Sequence, residues 1–280
     1  MRRLFVVLLL LGAMSAPAAA QREPDFATLD RGDGITHFGL DLAWVRLDPP
    51  PLDSVLHFEV FGQFVAQSGL GFYVAFPFAK SFGDGVPEGE LDGETSIGDL
   101  DVGGLYVISA PELSWVFRLG LALPTASEDD GDFVTNFYGQ QFRLTDIALV
   151  YPNDYFARLS VSPLYHAHSL FLRIDLGVDV PFAEDDPTFY PADPIGRLNL
   201  GAGVDLGQIA LMAELATIVE FDDDDVDEDN DRDVFTTAAF TARFMGPQLQ
   251  PYLTFGIPVQ EYIRDTVRFF VGGGIQGVFH

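Results

Sequence analysis

The 280-residue chain contains no cysteine and a single lysine, Lys80. Lacking cysteine, it has no disulfide scaffold, no Cys-ligated zinc or iron–sulfur site and no thiol catalysis. Basic residues are scarce altogether, 15 against 42 acidic ones, for a formal charge of −27. Such a surface repels a phosphate backbone, which excludes nucleic acid as a partner. Also missing is any run of about eighteen consecutive apolar residues that would cross a membrane as a helix. What the chain has in quantity is apolar surface: 48% hydrophobic residues, 26 Phe and a positive mean hydropathy. That separates it from disordered acidic chains and requires a place to cover the apolar groups.

Arg2 and Arg3, an unbroken apolar run at 4–11 and Ala18-Ala19-Ala20 before Gln21 read as a secretory signal peptide, cleaved before Gln21. Past it, apolar and polar residues alternate with period two in runs of about ten to thirteen. In Leu172-Arg173-Ile174-Asp175-Leu176-Gly177-Val178-Asp179-Val180 one face is aliphatic and the other carries three charges. The pattern predicts twelve strands, at 36–47, 54–66, 70–78, 96–108, 113–123, 155–165, 170–181, 195–205, 209–220, 234–245, 249–258 and 266–279.

A soluble β-sandwich alternates too, but has no reason to sort its loops by length and charge. Here the connections alternate between long acidic links and tight turns. The long links hold −24 of the charge and the turns −1, from Glu112. One end of the molecule is therefore long and acidic, the other short and nearly neutral. With an even strand number and both termini on the short-turn side, that asymmetry is the pattern of an outer-membrane barrel. Outward-facing aromatics gather near both ends, Trp44, Phe58, Phe78, Tyr155 and Phe269 by the long loops, Phe38, Phe64, Tyr106, Trp115, Tyr165, Phe244 and Phe279 by the turns. The expected fold is all-β, a twelve-stranded antiparallel transmembrane β-barrel spanning 36–280, after a signal peptide at 1–20 and a periplasmic N-terminal tail at 21–35.

The last strand ends in an alternating outward row, Phe269, Val271, Gly273, Ile275, Gly277 and Phe279. It resembles the terminal signal read by bacterial outer-membrane assembly machinery, with the aromatic penultimate to His280. The stretch 124–154 is apolar enough over 142–150 to suggest a thirteenth strand. Strand parity argues against it, because the turn at 166–169 would then fall on the long-loop side. The expectation is a long extracellular loop that carries a short helix or folds back into the lumen.

With the aliphatic face outward, the lumen receives Asp99, Asp101, Arg118, Arg158, Arg173, Asp175, Asp179, Arg197, Glu214, Arg243 and Arg268. Arginine stays charged when desolvated and pairs bidentately with carboxylates. Arg158, Asp179 and Arg197 come from three consecutive strands and are expected in one cluster; Asp99 or Asp101 is expected to meet Arg118. These groups either satisfy a narrow polar interior or set the selectivity of a pore.

The acidic run at 222–233 places Asp225, Asp227 and Asp229 in alternation, as at the start of a calcium loop. No glycine follows at the sharp turn and the twelfth position is Thr236, so an EF-hand is rejected. The run reads as solvated charge, with divalent bridging to neighbouring lipid phosphates as the alternative. No cofactor is implied. No G-x-S-x-G elbow occurs, and no Ser or Thr stands at dyad spacing to His37–Asp41 or His57–Glu59.

One segment carries a family resemblance. Ser96-Ile97-Gly98-Asp99-Leu100 leads to Tyr106, and a hairpin then delivers Leu119-Gly120-Leu121-Ala122-Leu123-Pro124-Thr125. The stretch 95–126 resembles a family of bacterial outer-membrane barrels labelled as meta-pathway phenol-degradation or transporter-like proteins. Ser96 stands where that pattern has its first Gly and Ala126 where it has its last. The resemblance implies uptake or efflux of small, apolar or aromatic compounds and carries over only Asp99 as a functional position. Three functions therefore stand: passage of small solutes through the lumen, a closed structural barrel whose acidic loops meet cations or lipopolysaccharide, and a membrane-embedded hydrolase.

Overall fold

The computed structural model describes residues 25–48, 52–83, 93, 95–127, 129–182, 193–221 and 234–279. The expected signal peptide and the carboxylates Asp225, Asp227 and Asp229 lie outside the described residues.

Period-two alternation over ten or more residues makes two-faced extended strands, and each finds its sequence neighbour through a hairpin. The strands are β1 (Thr36–Leu47), β2 (Ser54–Val65), β3 (Leu70–Phe82), β4 (Thr95–Ile97), β5 (Leu100–Ser109), β6 (Leu113–Leu123), β7 (Phe156–Ala167), β8 (Leu170–Pro181), β9 (Ile195–Asp205), β10 (Ile209–Glu220), β11 (Val234–Phe244), β12 (Leu249–Pro258) and β13 (Val267–Phe279). All pairings are antiparallel, and β13 returns to β1 with Thr36 opposite Phe279 and Leu40 opposite Ile275. Strands β4 and β5 both pair with β3 and form one stave interrupted at Gly98-Asp99. The closed barrel thus has the twelve staves expected. The third is longer than its alternation suggested, because β2 holds it in register to Phe82, opposite Ser54.

Side chains alternate between the two faces of this wall. Phe38, Leu42, Phe64, Phe72, Leu119, Phe240 and Leu253 point outward, Leu253 being 71% exposed. An unbroken apolar exterior of this kind is a surface made for a non-aqueous neighbour. Trp44 packs edge-on to Phe269 near the long-loop end, and Phe64 lies against Phe72 near the turns.

The interior is filled by two segments that are not part of the wall. The first is 25–35, expected as a periplasmic tail. That expectation is corrected: residues 25–33 are buried inside the barrel. Asp33 starts beside Gln63 near the turns, Asp30 reaches Arg197 in the upper half, and the chain then turns back until Asp25 faces Arg243 near the turns again. The second is the loop between β6 and β7. It forms helix α1 (Asp130–Gln140), N-capped by the Asp129 side chain, and a 3-10 segment, Gln141–Val150, whose residues are all buried. The loop therefore folds back into the lumen, one of its two expected courses. Phe142, Leu144, Ile147 and Leu149 pack against Val45, Val55, Phe156, Ile195, Ile218 and Phe270 in the long-loop half.

Glycines on the inner wall make room for both segments. A Cβ at Gly201 would run into the Phe26 ring and Leu29, and one at Gly272 into the Phe142 ring. The Gly201→Leu variant is expected to destabilise the seated N-terminal segment by about 1–3 kcal/mol through overpacking. Limited proteolysis within 25–33 should then rise while strand content by circular dichroism stays unchanged; an unaltered cleavage rate would show that the segment does not rest on β9.

Candidate functional site

The lumen wall is a charged surface with two sides. Strands β6, β7, β8 and β9 contribute Arg118, Arg158, Arg173 and Arg197 in succession, and β11 adds Arg243. Asp41 on β1 and Glu59 on β2 stand on the other side, and Glu214 lies on β10 between. A guanidinium buried in a closed barrel cannot shed its charge, so each must be met by an acceptor.

Arg158 is the most fully engaged, reaching Asp101 at 2.5 Å, Asp146 at 2.8 Å, the Thr145 carbonyl at 2.9 Å and Asp179 at 3.3 Å. Arg197 reaches the same Asp179 oxygen at 2.9 Å, so Arg158, Asp179 and Arg197 do lie in one cluster. Arg173 is paired with Asp175 at 2.6 Å, two residues along its own strand. Arg243 donates to Gln276 at 3.0 Å and lies over the Tyr252 ring.

Three placements differ from the sequence reading. Asp99 does not meet Arg118: its Oδ1 accepts the backbone N–H groups of Thr125 and Ala126, each at 2.8 Å. The Thr125 hydroxyl donates to the Gly98 carbonyl, and the Asp99 N–H donates to the Leu149 carbonyl. The segment that carries the family resemblance is therefore a clasp at the root of the loop insert, and Asp99 is one of its fastenings. Asp101 is held by Arg158, which leaves Arg118 to stack on Tyr73 at 3.6 Å and to donate to the Arg31 carbonyl. Arg268, expected inside, is outside and pairs with Asp48. The cause is a register slip opposite Arg46 and Leu47, which turns Val267 inward in its place.

The N-terminal insert supplies what the wall lacks. Asp30 places both carboxylate oxygens on Arg197, at 2.6 and 2.7 Å, and its carbonyl accepts from Arg173. Arg31 crosses to the acidic side, meeting Asp41 at 2.6 Å and Glu59. Thr28 donates its N–H and hydroxyl to Glu214, at 2.7 and 2.9 Å, and Thr241 donates to the same carboxylate. Asp25 stands 3.8 Å from Arg243 and 3.9 Å from Arg173. Burial raises the Asp25 carboxyl, but Arg243, with His37, Arg31 and Arg173, outweighs it and holds the pKa below the usual range.

The two inserts meet at Arg143. This guanidinium donates to the carbonyls of Ala27 and Leu29 at 2.7 and 3.0 Å and to Asp146 at 2.9 Å, with Glu59 at 3.8 Å. Together the inserts leave a cavity of about 10 Å3 among Asp30, Tyr73, Asp101, Arg118, Arg158 and Arg197, space for about one water. Among the described residues no group of three or more His, Asp or Glu is arranged to hold a metal ion.

Sequence reasoning missed Asp25, Asp30, Arg31, Arg143 and Asp146. A signal was present: 142–150 carries Arg143 and Asp146 at i, i+3 inside an apolar stretch of an otherwise acidic loop. The strand ends it packs against are apolar on both faces, as at Trp44-Val45 and Phe269-Phe270.

No family model and no curated protein sequence matches the chain. Among solved structures, an outer-membrane channel from Pseudomonas putida F1 aligns over 94% of this chain and 99% of its own, with a TM-score of 0.60 and 14% identity. The NanC porin aligns over 85% and 98% with a TM-score of 0.54, and the KdgM porin over 86% and 99% with 0.53, both at 11% identity. At these identities the likeness is one of fold, and the fold is that of the outer-membrane β-barrel porins.

Asp146 ties the loop insert to the wall, and its titration is directional. Burial raises its pKa, but Arg143 and Arg158 overcome that and hold it far below the ordinary value of 3.8. Because the unfolded chain binds this proton more tightly, the stabilisation is complete above pH 3.8 and declines as pH falls below it. The protection factors of 129–154, exchange taken relative to the intrinsic rate at each pH, are therefore expected to hold down to that pH and to fall below it. In Asp146→Asn the loss is expected already at neutral pH, at about 3–5 kcal/mol, since two guanidiniums lose a buried partner. Wild-type protection factors that are flat through the acid range would show that the pair does not hold the insert.

Proposed function

We propose that this chain is an outer-membrane channel for small solutes whose lumen is closed at rest by two inserted segments and opens when they move. The observation that carries this reading is the origin of the filling. Much of the lumen is occupied by chain entering from its two mouths, through polar contacts and no covalent tether, and the wall is hollowed by glycine where that chain rests. A barrel that served only as a scaffold fills its interior with wall side chains. Withdrawal of the inserts leaves an arginine- and carboxylate-lined passage, the arrangement that selects solutes in pores.

The fold shared with two porins and a channel is in keeping with this reading, which makes the protein a transporter and not an enzyme. The outer-membrane location is supported by the apolar exterior, with export through the signal peptide at 1–20 and recognition of the terminal strand by the assembly machinery. Outer-membrane lipid, with lipopolysaccharide beside the acidic loops, is the proposed surrounding. The resemblance over 95–126 favours small apolar or aromatic compounds as the solutes. The closed structural barrel is the second reading, favoured by the burial of residues 25–33 and of the whole Gln141–Val150 segment inside the barrel.

Planar-bilayer recording separates the two. Wild-type protein should show long silent periods with discrete small openings, and removal of 25–33 should lengthen them. A Leu29→Cys/Gly201→Cys pair, placed where the Leu29 side chain meets β9 and combined with Phe26→Ala so that the new Cβ has room, should be silent when oxidised and conduct again on reduction, cleanly because the chain has no other cysteine. Silence of the wild type, the shortened chain and the reduced pair alike would refute the channel.

A further inference from the structure

Much of the wall's charge is answered by the N-terminal insert. Arg118, Arg158, Arg173, Arg197 and Arg243 share three carboxylates of their own side, Asp101, Asp175 and Asp179. Asp146 of the loop insert and Asp25 and Asp30 of the N-terminal insert supply further carboxylates to these arginines, while Arg31 answers Asp41 and Glu59 opposite. Asp30 is seated as a ligand would be, both oxygens on one guanidinium, with a second arginine on its carbonyl. Beside it lies the small cavity, floored by the Arg118–Tyr73 stack. Gly177 leaves the space in which the Arg197 guanidinium lies, since a Cβ there would come within 2.8 Å of it. The Nε atoms of Arg118, Arg197 and Arg243 are buried without an acceptor among the described residues, so the wall retains donors that the insert does not use.

We propose that this arginine wall is a binding site for small carboxylate anions, and that Asp30, with Asp25, is its tethered occupant. The inference rests on the channel reading and narrows its solutes to acids, aromatic ones among them, in place of neutral apolar compounds. When the insert leaves, Arg197 and Arg173 keep one wall carboxylate each, Arg243 keeps a glutamine, and Arg118 loses the Arg31 carbonyl, its acceptor among the described residues. Buried guanidiniums stripped of partners are costly. An anion with one or two carboxylates restores the lost contacts, which couples opening to the arrival of solute. A neutral compound of the same shape does not. The site takes both aliphatic and aromatic acids.

The test uses the full chain carrying Asp25→Asn and Asp30→Asn, with benzoate and succinate as probes and benzamide as the neutral control. In a potassium chloride gradient its reversal potential should have the sign of chloride preference, and the two acids should block the current while benzamide does not. Arg197→Gln in that background should weaken the block by about tenfold or more. A channel without anion preference, or one blocked equally by benzamide, would overturn the carboxylate site and leave the channel reading standing. If the variant and the chain lacking 25–33 are both silent, the channel reading fails, and the site is still decided in detergent. There the acids should raise the unfolding temperature of the double variant and lose that effect with Arg197→Gln. The absence of any shift with either acid overturns the site.

Discussion

Inside this barrel a guanidinium has nowhere to put its charge except onto an oxygen the fold provides. That constraint organises the interior. Arginine cannot be neutralised by losing a proton, so burying Arg143, Arg158, Arg173, Arg197 and Arg243 obliges the structure to bring acceptors to each. Some come from the wall, as Asp175 and Asp179 do. Others come only from chain threaded into the lumen, the carbonyls of Ala27, Leu29 and Asp30 and the carboxylates of Asp30 and Asp146. Wall and inserts are therefore incomplete without each other, and filling the lumen satisfies the charges.

The two inserts are built on different principles. The loop insert is mostly apolar, sits in a hydrophobic half of the barrel and is pinned at its root by the Asp99–Thr125 clasp. The N-terminal insert is short and held largely by charge, with Phe26 and Leu29 as its apolar anchors. Ionic seats exchange with other ions; a packed apolar core exchanges with nothing in water. Arg143 grips both inserts, through the Ala27 and Leu29 carbonyls of one and Asp146 of the other.

Much of the fold was legible because a barrel writes itself locally. Each strand faces lipid on one side and lumen on the other, so the period of two is strict in sequences such as 172–180, and loop length alternates because the two ends meet different compartments. Where that local rule lapsed, so did the reading. Arg268 has lumenal parity, but the slip opposite Arg46 turns it out to Asp48, and nothing in the local pattern marks a bulge that depends on the partner strand. Asp99 was singled out by its motif, yet its oxygen is taken by backbone N–H groups some 26 residues on, a contact set by the hairpin and not by neighbours in sequence.

By itself the sequence determined the class of the molecule: twelve antiparallel staves, an apolar exterior and an arginine-rich interior. Those properties follow from alternation and composition, which are local and additive. What only the tertiary structure decided is that the lumen is closed and by what. Residues 25–33 have no periodicity and no wall to belong to, so their burial is invisible until the charges of β6 to β11 converge around them. The pairing of Asp30 with Arg197 spans 167 residues, and a contact between groups so far apart is a property of the closed ring, because only closure brings the first insert against the ninth strand.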